Sequence, residues 1–230
     1  MKQAVLITLA LLAVTVLLQL LPHTQPDAPG SPAIGMPWQI TVRNDGLSSV
    51  FGLTLERSTV NDAENILSVI PEIAIVGKRD EAGSLEAYFD GITLNGLNAR
   101  LIATIDVSAN ELQAMQQRSP KTDYMESTTR RSQLAPADRD LARRLTLRTL
   151  ALLPAGRLDP VTITQRFGEP TERIKTSDDV EHFLYAKLGV DVAINASGKT
   201  VLQYVAPAQF HRLRDPLVMV RSPLTAADRK

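Results

Sequence analysis

The feature that most constrains this chain is a run of 18 residues near its N-terminus that is almost entirely apolar. It extends from Ala4 to Leu21, and its only polar members are two threonines and one glutamine. As an α-helix the run would be about 27 Å long, close to the thickness of a bilayer's hydrocarbon core. A helix in the core of a soluble domain normally keeps a polar face, and this run has none of useful width. The sequence therefore predicts a transmembrane helix within residues 1–21.

The residues that flank this run predict its orientation. Lys2 precedes it, and no further Lys or Arg occurs until Arg43. By the positive-inside rule, the N-terminus stays in the cytoplasm and the body crosses the membrane. Residues 19–24 contain no small-x-small cleavage site, so an uncleaved anchor is favoured and a cleaved signal peptide is the alternative. The predicted location is the inner membrane of a Gram-negative bacterium, with a single pass and a periplasmic body.

Composition excludes several classes of protein. Residues 22–37 hold five prolines and two glycines, which predicts an extended spacer. The chain has no cysteine, which excludes disulfide scaffolds, thiolate metal sites and a lipid-modified N-terminal cysteine. Its 25 basic residues balance 25 acidic residues, so no whole-molecule field attracts nucleic acid.

The body is predicted to have an α+β fold. The clearest pattern is a hairpin that turns at Asn95-Gly96, a dipeptide that tolerates the backbone of a tight turn. In the second arm, alternate residues from Leu97 to Val107 are apolar and most of the others are polar, with Ile102 as the exception. This period-two pattern is typical of an antiparallel sheet with a helix on one side.

The order of a short helix followed by strands occurs twice. Ser58 and Thr59 both offer an N-cap hydroxyl in the first half, and Asp159 supplies an N-cap in the second. The two segments have an offset near 100 residues, which suggests an internal duplication. A further helix is predicted over about residues 137–152. The predicted divisions of the body are a first α+β unit at 38–118, a connector at 119–136, a second α+β unit at 137–206 and a basic, flexible tail at 207–230.

Short motifs in both halves resemble a known family. The segment from Asp159 to Pro170, DPVTITQRFGEP, is similar to the helix and Gly-x-Pro exit of the BamE/SmpA–OmlA family. Tyr185 and Gln203-Tyr204 fit the strands that follow, and Gly52–Leu55 resembles the glycine-led segment before that family's helix. Members are small bacterial envelope proteins with helices on a three-stranded antiparallel sheet. The resemblance implies a binding or assembly function. The family's usual lipoprotein cysteine is absent, and the whole chain also resembles uncharacterised proteobacterial membrane-anchored proteins.

No motif supplies a complete set of metal ligands or catalytic groups. His23, His182 and His211 share no metal-ligand spacing, and His182 is predicted to be a partly exposed strand residue. Residues 198–200, Gly-Lys-Thr, imitate the end of a phosphate-binding loop but lie between two predicted strands, where no helix N-terminus follows. We therefore predict no cofactor, no metal, no nucleic-acid partner and no catalysis.

Five residues are predicted to face a partner, which is expected to be another envelope protein. Residues 45–106 carry a net charge of −6 and residues 118–148 a net charge of +4, so association is expected to be sensitive to salt. The predicted binding residues come from the polar strand faces, from one aromatic position and from the arginine-rich segment. They are Arg100, Asp191, Tyr185, Arg139 and Arg143.

Two other functions remain open. A carboxylate-dependent periplasmic hydrolase would use acids such as Glu86 or Asp90, and it predicts a concave pocket where two acids with perturbed pKa values converge. A structural membrane subunit would pack the apolar run against other membrane helices. That run contains neither Gly-x-x-x-Gly nor a charged residue, which disfavours the second possibility.

Overall fold

A computed structural model describes residues 35–221 apart from 80, 125–128 and 177–178. The predicted transmembrane helix, most of the predicted spacer and the end of the tail lie outside these residues. Among the residues described, no helix has the length and apolar character needed to cross a bilayer.

The described body is mostly β-structure, arranged as two antiparallel sheets. The small sheet consists of β1 (Thr41–Val42), β2 (Ser48–Val50) and β3 (Leu53–Thr54). The large sheet has ten strands in the order β10-β11-β12-β13-β9-β6-β5-β4-β8-β7. Its strands are β4 (Glu72–Lys78), β5 (Ser84–Leu94), β6 (Leu97–Ile105), β7 (Thr122–Tyr124), β8 (Thr129–Gln133), β9 (Leu147–Pro154), β10 (Glu172–Lys175), β11 (Glu181–Tyr185), β12 (Val190–Ile194) and β13 (Thr200–Tyr204).

Five short helices accompany these sheets in the described residues. They are α1 (Val60–Leu67), α2 (Ala109–Gln117), α3 (Pro136–Ala142), α4 (Pro160–Phe167) and α5 (His211–Arg221), with a 3₁₀ turn at Pro207–Gln209 before α5. The predicted N-caps of α1 and α4 are confirmed. The Thr59 hydroxyl accepts a hydrogen bond from the Asp62 N–H at 3.2 Å, and the Asp159 carboxylate accepts one from the Thr162 N–H at 2.9 Å.

The main core lies between one face of the large sheet and helices α1 to α4. Alternate residues of the central strands, such as Leu101 and Leu152, pack there with Leu67 of α1 and Ile163 of α4. We call this face the inner face. On the opposite, outer face, α5 covers one end of the sheet, where Leu213 packs with residues of β10 and β11.

The prediction of an α+β fold with two separate units is wrong. Strand β9 pairs with β6 on one side and with β13 on the other, so strands from both halves belong to one sheet. Helices α1 and α4 do begin 100 residues apart, but the strands that follow them form no separate sheets. The prediction failed at β9, because its residues were assigned to a helix and the strand that joins the two halves was not recognised.

The segment predicted as a helix over 137–152 divides into α3 and β9. The leucines of this segment also fit a helical spacing, but those from Leu147 onward form a strand with apolar residues on both faces. Leu150 and Leu152 enter the main core, whereas Leu153 points to the outer face. A strand buried on both sides loses the period-two pattern by which strands are recognised.

Two more predicted boundaries differ from the structure. Residues 119–136, expected to be a connector, contain β7 and β8, which extend the sheet beyond β4. Their polar composition is typical of strands near a sheet edge, where apolar side chains would promote aggregation. The segment expected to be a flexible tail contains α5 up to Arg221, with Pro216 inside the helix.

Candidate functional site

The outer face carries a small apolar cluster that is separate from the main core. Ile102, Leu153 and Val201 are its buried members, and Tyr88 and Ala151 pack against them. These residues come from β5, β6, β9 and β13, four neighbouring strands in the middle of the sheet. We refer to these five residues as the outer cluster.

One side of the outer cluster borders an exposed hydrogen-bonded network. Both the Arg100 guanidinium (Nε, 3.2 Å) and the Tyr88 hydroxyl (3.1 Å) donate to Oδ1 of Asp90. An irregularity between Phe89 and Ile92 interrupts the pairing of β5 with β6 next to Asp90, whose side chain is 59% exposed. Burial is the main cause that raises the pKa of Tyr88 to about 12. Arg100 is thus on the predicted face, in a fixed orientation and still accessible.

The other side of the outer cluster borders a buried hydrogen-bonded pair. His182 of β11 and Asp191 of β12 lie diagonally across the strand pair, and 2.8 Å separates Nδ1 of the histidine from Oδ2 of the aspartate. Because an ionised carboxylate only accepts, this geometry fits an Nδ1–H donor. Gln203 is opposite Asp191 in the register and is also buried. Oδ1 of Asp191 is buried without a hydrogen-bond partner.

This pair corrects two expectations. Asp191 is 1% exposed and does not face a partner directly, and His182 is buried rather than partly exposed. Sequence reasoning treated His182 as a single strand residue and overlooked the strand across the turn. The signal was the hairpin register: a turn at residues 186–189 puts His182 opposite Ala193, and so diagonal to Asp191 on the same face.

Glu86 is a third buried polar residue of the outer face. The Ser84 hydroxyl donates to its carboxylate at 2.6 Å, but burial dominates and raises its pKa to about 7. Asp90 lies four residues further along the same strand, so the two Cα atoms are roughly 13 Å apart. Paired catalytic carboxyl groups in glycoside hydrolysis are roughly 5 to 9.5 Å apart. The side chains of Glu86 and Asp90 would have to lean toward each other along the strand to bring their carboxyl groups within that separation.

A pocket among the described residues lies away from the outer cluster. It has a volume of about 410 Å³ and is formed by the β4–β5 turn, α2 and β8. Its polar lining residues are Arg79, Glu81, Gln113, Gln116 and Arg130. Neither acid named for the hydrolase is among them.

The remaining predicted binding residues are not on the outer face. Tyr185 is buried on the inner face, where its hydroxyl donates to the Gly168 carbonyl at 3.2 Å and burial raises its pKa to about 12. Arg143 lies 3.6 Å from Glu64 and links α3 to α1, while Arg139 is exposed on α3. Of the five residues, only Arg100 and Asp191 share a face.

Known proteins provide no further guide to the site. In the described residues, no group of three or more His, Asp or Glu side chains is arranged to hold a metal ion. The chain matches no protein-family model, no curated protein and no solved structure. The resemblance to the BamE/SmpA–OmlA family therefore stays a prediction.

Proposed function

We propose that this chain is a membrane-tethered periplasmic module without catalytic activity, which binds another envelope protein through the outer face of its sheet. The observation that carries the proposal is the outer cluster with hydrogen-bonded polar groups on both sides. Protein interfaces commonly combine an apolar centre with a polar rim. The Arg100–Asp90 pair, in which the Asp90 side chain is 59% exposed, occupies a rim position here, and the buried His182–Asp191 pair supports the strands on the other side of the cluster.

The composition of the exposed side supports binding. Tyr and Arg are the residue types that often contribute most to interface affinity, since both combine apolar surface with a directional polar group. Tyr88 and Arg100 already share one acceptor, Asp90, so they would lose little conformational freedom when a partner docks. The tether is supported by the apolar run at residues 4–21 and by the charge distribution that flanks it.

In-cell photo-cross-linking tests this proposal. A photoreactive residue at Asp90 lies beside the outer cluster, whereas one at Gln117 is exposed on α2, which packs on the inner face. We expect a discrete adduct with one envelope protein from position 90 and none from position 117, with identification by mass spectrometry. Identical adducts from both positions, or none from position 90 at natural expression levels, would contradict the proposal. Asp191 is unsuitable as a probe site because it is buried.

One observation favours the alternative, a carboxylate-dependent hydrolase. The pKa of Glu86, about 7, falls in the range that a general acid uses near neutral pH. The distance to Asp90 and the burial of Glu86 argue against it. We expect the purified full chain to release no product from peptidoglycan, glycoside or peptide substrates. A release that the Glu86→Gln variant abolishes would favour the hydrolase instead.

A further inference from the structure

The point at which the predicted spacer joins the body is fixed. The Gln39 N–H donates to the Met36 carbonyl at 2.9 Å, and the Met36 N–H donates to the side-chain oxygen of Gln39 at 2.7 Å. These two bonds close a tight turn around Pro37. The hydroxyl of Tyr204 on β13 donates to the Pro37 carbonyl at 3.1 Å in a buried hydrogen bond. The chain therefore leaves the body at one defined place.

Aromatic rings and arginines surround this exit. The Trp38 and Phe167 rings meet edge to face with centroids 6.4 Å apart, and Phe167 lies 5.4 Å from the Tyr185 ring. The Arg166 guanidinium sits 4.7 Å from the centroid of the Trp38 ring. Arg173 sits at the same distance over Phe183, two residues before Tyr185 on β11. We name these residues the exit cluster: Trp38, Arg166, Phe167, Arg173, Phe183 and Tyr185.

The two arginines of the exit cluster differ from the arginines of the body that form ion pairs. Arg100 and Arg118, for example, contact carboxylates. Arg166 and Arg173 are exposed, and neither has a carboxylate within ion-pair distance among the described residues. The exit cluster as defined contains these two arginines and no acidic residue.

The chemistry of these arginines fits a phosphate group. A guanidinium stacked on a ring keeps its N–H donors in its own plane, directed away from the ring. Those donors match the spacing of phosphate oxygens and bind them in pairs. A tryptophan beside arginines is also a common combination at membrane interfaces, where the ring is partly buried and the cations reach the headgroups.

The spacer is short enough for the exit cluster to reach a bilayer. Sixteen residues, 22–37, separate the apolar run from the fixed turn. A flexible chain of that length has a root-mean-square span of about 22 Å, and an extended one reaches about 50 Å. The average distance from the headgroups is therefore smaller for the exit cluster than for surfaces of the body further from Pro37.

We propose that the exit cluster docks on the phosphate groups of anionic lipids, on the membrane surface from which the spacer emerges. This inference rests on the proposed function, because it requires the apolar run to be embedded in that membrane. Arg166 and Arg173 would contact the headgroups, and Trp38 would enter the interface between them.

The native chain contains the probe that tests this docking. Trp38 is its only tryptophan, so tryptophan fluorescence reports on the exit cluster alone. The full chain is reconstituted into vesicles whose acyl chains are brominated, either phosphatidylcholine alone or a mixture with phosphatidylglycerol. We expect strong Trp38 quenching in the anionic vesicles at low salt and weak quenching in the neutral ones. The Arg166→Gln/Arg173→Gln variant should shift the docking equilibrium about thirtyfold toward the undocked state.

The controls separate docking from tethering. Arg144→Gln removes an exposed arginine outside the exit cluster and should leave quenching unchanged. For the wild-type chain, high salt should reduce quenching, a result that does not depend on how the variants fold. Equal quenching in both lipids, while the protein still floats with the vesicles, overturns the docking but not the tether. Failure to float overturns both. A Trp38 response to inorganic phosphate that matches the lipid response would overturn the assignment to lipid.

Discussion

At the scale of single residues, two buried acids on the outer face are stabilised in different ways. Asp191 has a histidine within hydrogen-bond distance, whereas the hydrogen-bond partner of Glu86 among the described residues is the Ser84 hydroxyl. Sequence reasoning assigned Arg100 and Asp191 to polar strand faces of two separate units, because period-two alternation assigns faces within a strand but does not show which strands share a sheet. It treated those faces as solvated throughout. Ile102, the one apolar residue out of phase in its strand, was the signal that the outer face also buries side chains.

Glu86 gives the stability of the protein a defined pH dependence. Its pKa is about 7 in the folded protein and about 4.5 in an unfolded chain. The folded state therefore holds the proton more tightly, and the free energy of unfolding falls as pH rises between these values, by about 3 kcal/mol. Urea denaturation at pH 5 and pH 8 should reveal this fall. The Glu86→Gln variant should reduce it strongly, and an exposed control, Glu169→Gln, should not. An unchanged slope in Glu86→Gln would contradict the assignment.

The His182–Asp191 pair predicts an asymmetric response to mutation. His182→Ala leaves the buried side chain of Asp191 without this hydrogen-bond partner, which should lower the free energy of unfolding by about 2 kcal/mol. Replacing both residues with leucine should lower it by less than the single change, because neither of the two buried polar groups remains to be left without a partner. His211→Ala, at an exposed histidine of α5, is the matched control. Denaturant titrations of the four proteins suffice, and a double variant less stable than His182→Ala would contradict the argument.

At the scale of elements, those with local signals were predicted well. The N-caps of α1 and α4 are side chains that interact with their own helix, so a few adjacent residues reveal them. The β5–β6 turn at Asn95-Gly96 is likewise local, with both residues at positive φ. Elements defined by distant partners were missed. The polar strands β7 and β8 are recognised only through their pairing with β4, and β9 only through its neighbours on both sides.

The turn between β11 and β12 depends on a glycine for two separate reasons. Gly189 has a φ of +71°, and a Cβ atom there would collide with the Val205 carbonyl oxygen. Gly96 has a φ of +87° but open space around it. Gly96→Ala should therefore lower the free energy of unfolding by about 1 kcal/mol, the strain of a left-handed backbone at a residue with a side chain. Gly189→Ala should lower it by more, because the collision adds to that strain. Thermal or urea unfolding of the two variants compares them directly. Equal losses of stability would show that the collision is relieved at no cost.

At the scale of the whole molecule, the continuous ten-stranded sheet replaces the two units expected from the sequence. The repeated order of helix and strands suggested two domains, and no local pattern revealed that β9 joins them. The candidate site was predictable only in part for the same reason. The outer cluster draws residues from strands far apart in sequence, and their association depends on β9.

One continuous sheet predicts one cooperative unfolding transition. Leu152 of β9 is fully buried in the main core, and Leu152→Ala should lower the free energy of unfolding by about 3 kcal/mol. Because β9 touches both halves, hydrogen exchange should accelerate in β5 and in β12 to a similar extent. Leu217→Ala in α5, outside the main core, is expected to affect β10 and β11 more than β5. Acceleration confined to the second half in Leu152→Ala would indicate two independent units.

The hydrogen bond from Tyr204 to Pro37 has a mechanical consequence. A force applied through the predicted spacer reaches the body at Pro37, and this bond transmits part of it to β13. Strand β13 has β12 on one side and β9 on the other. An edge strand could separate from its single neighbour one backbone hydrogen bond at a time, but an interior strand separates only when its hydrogen bonds to both neighbours break. The force is thus applied to an interior strand, with three strands between it and the nearer edge of the sheet.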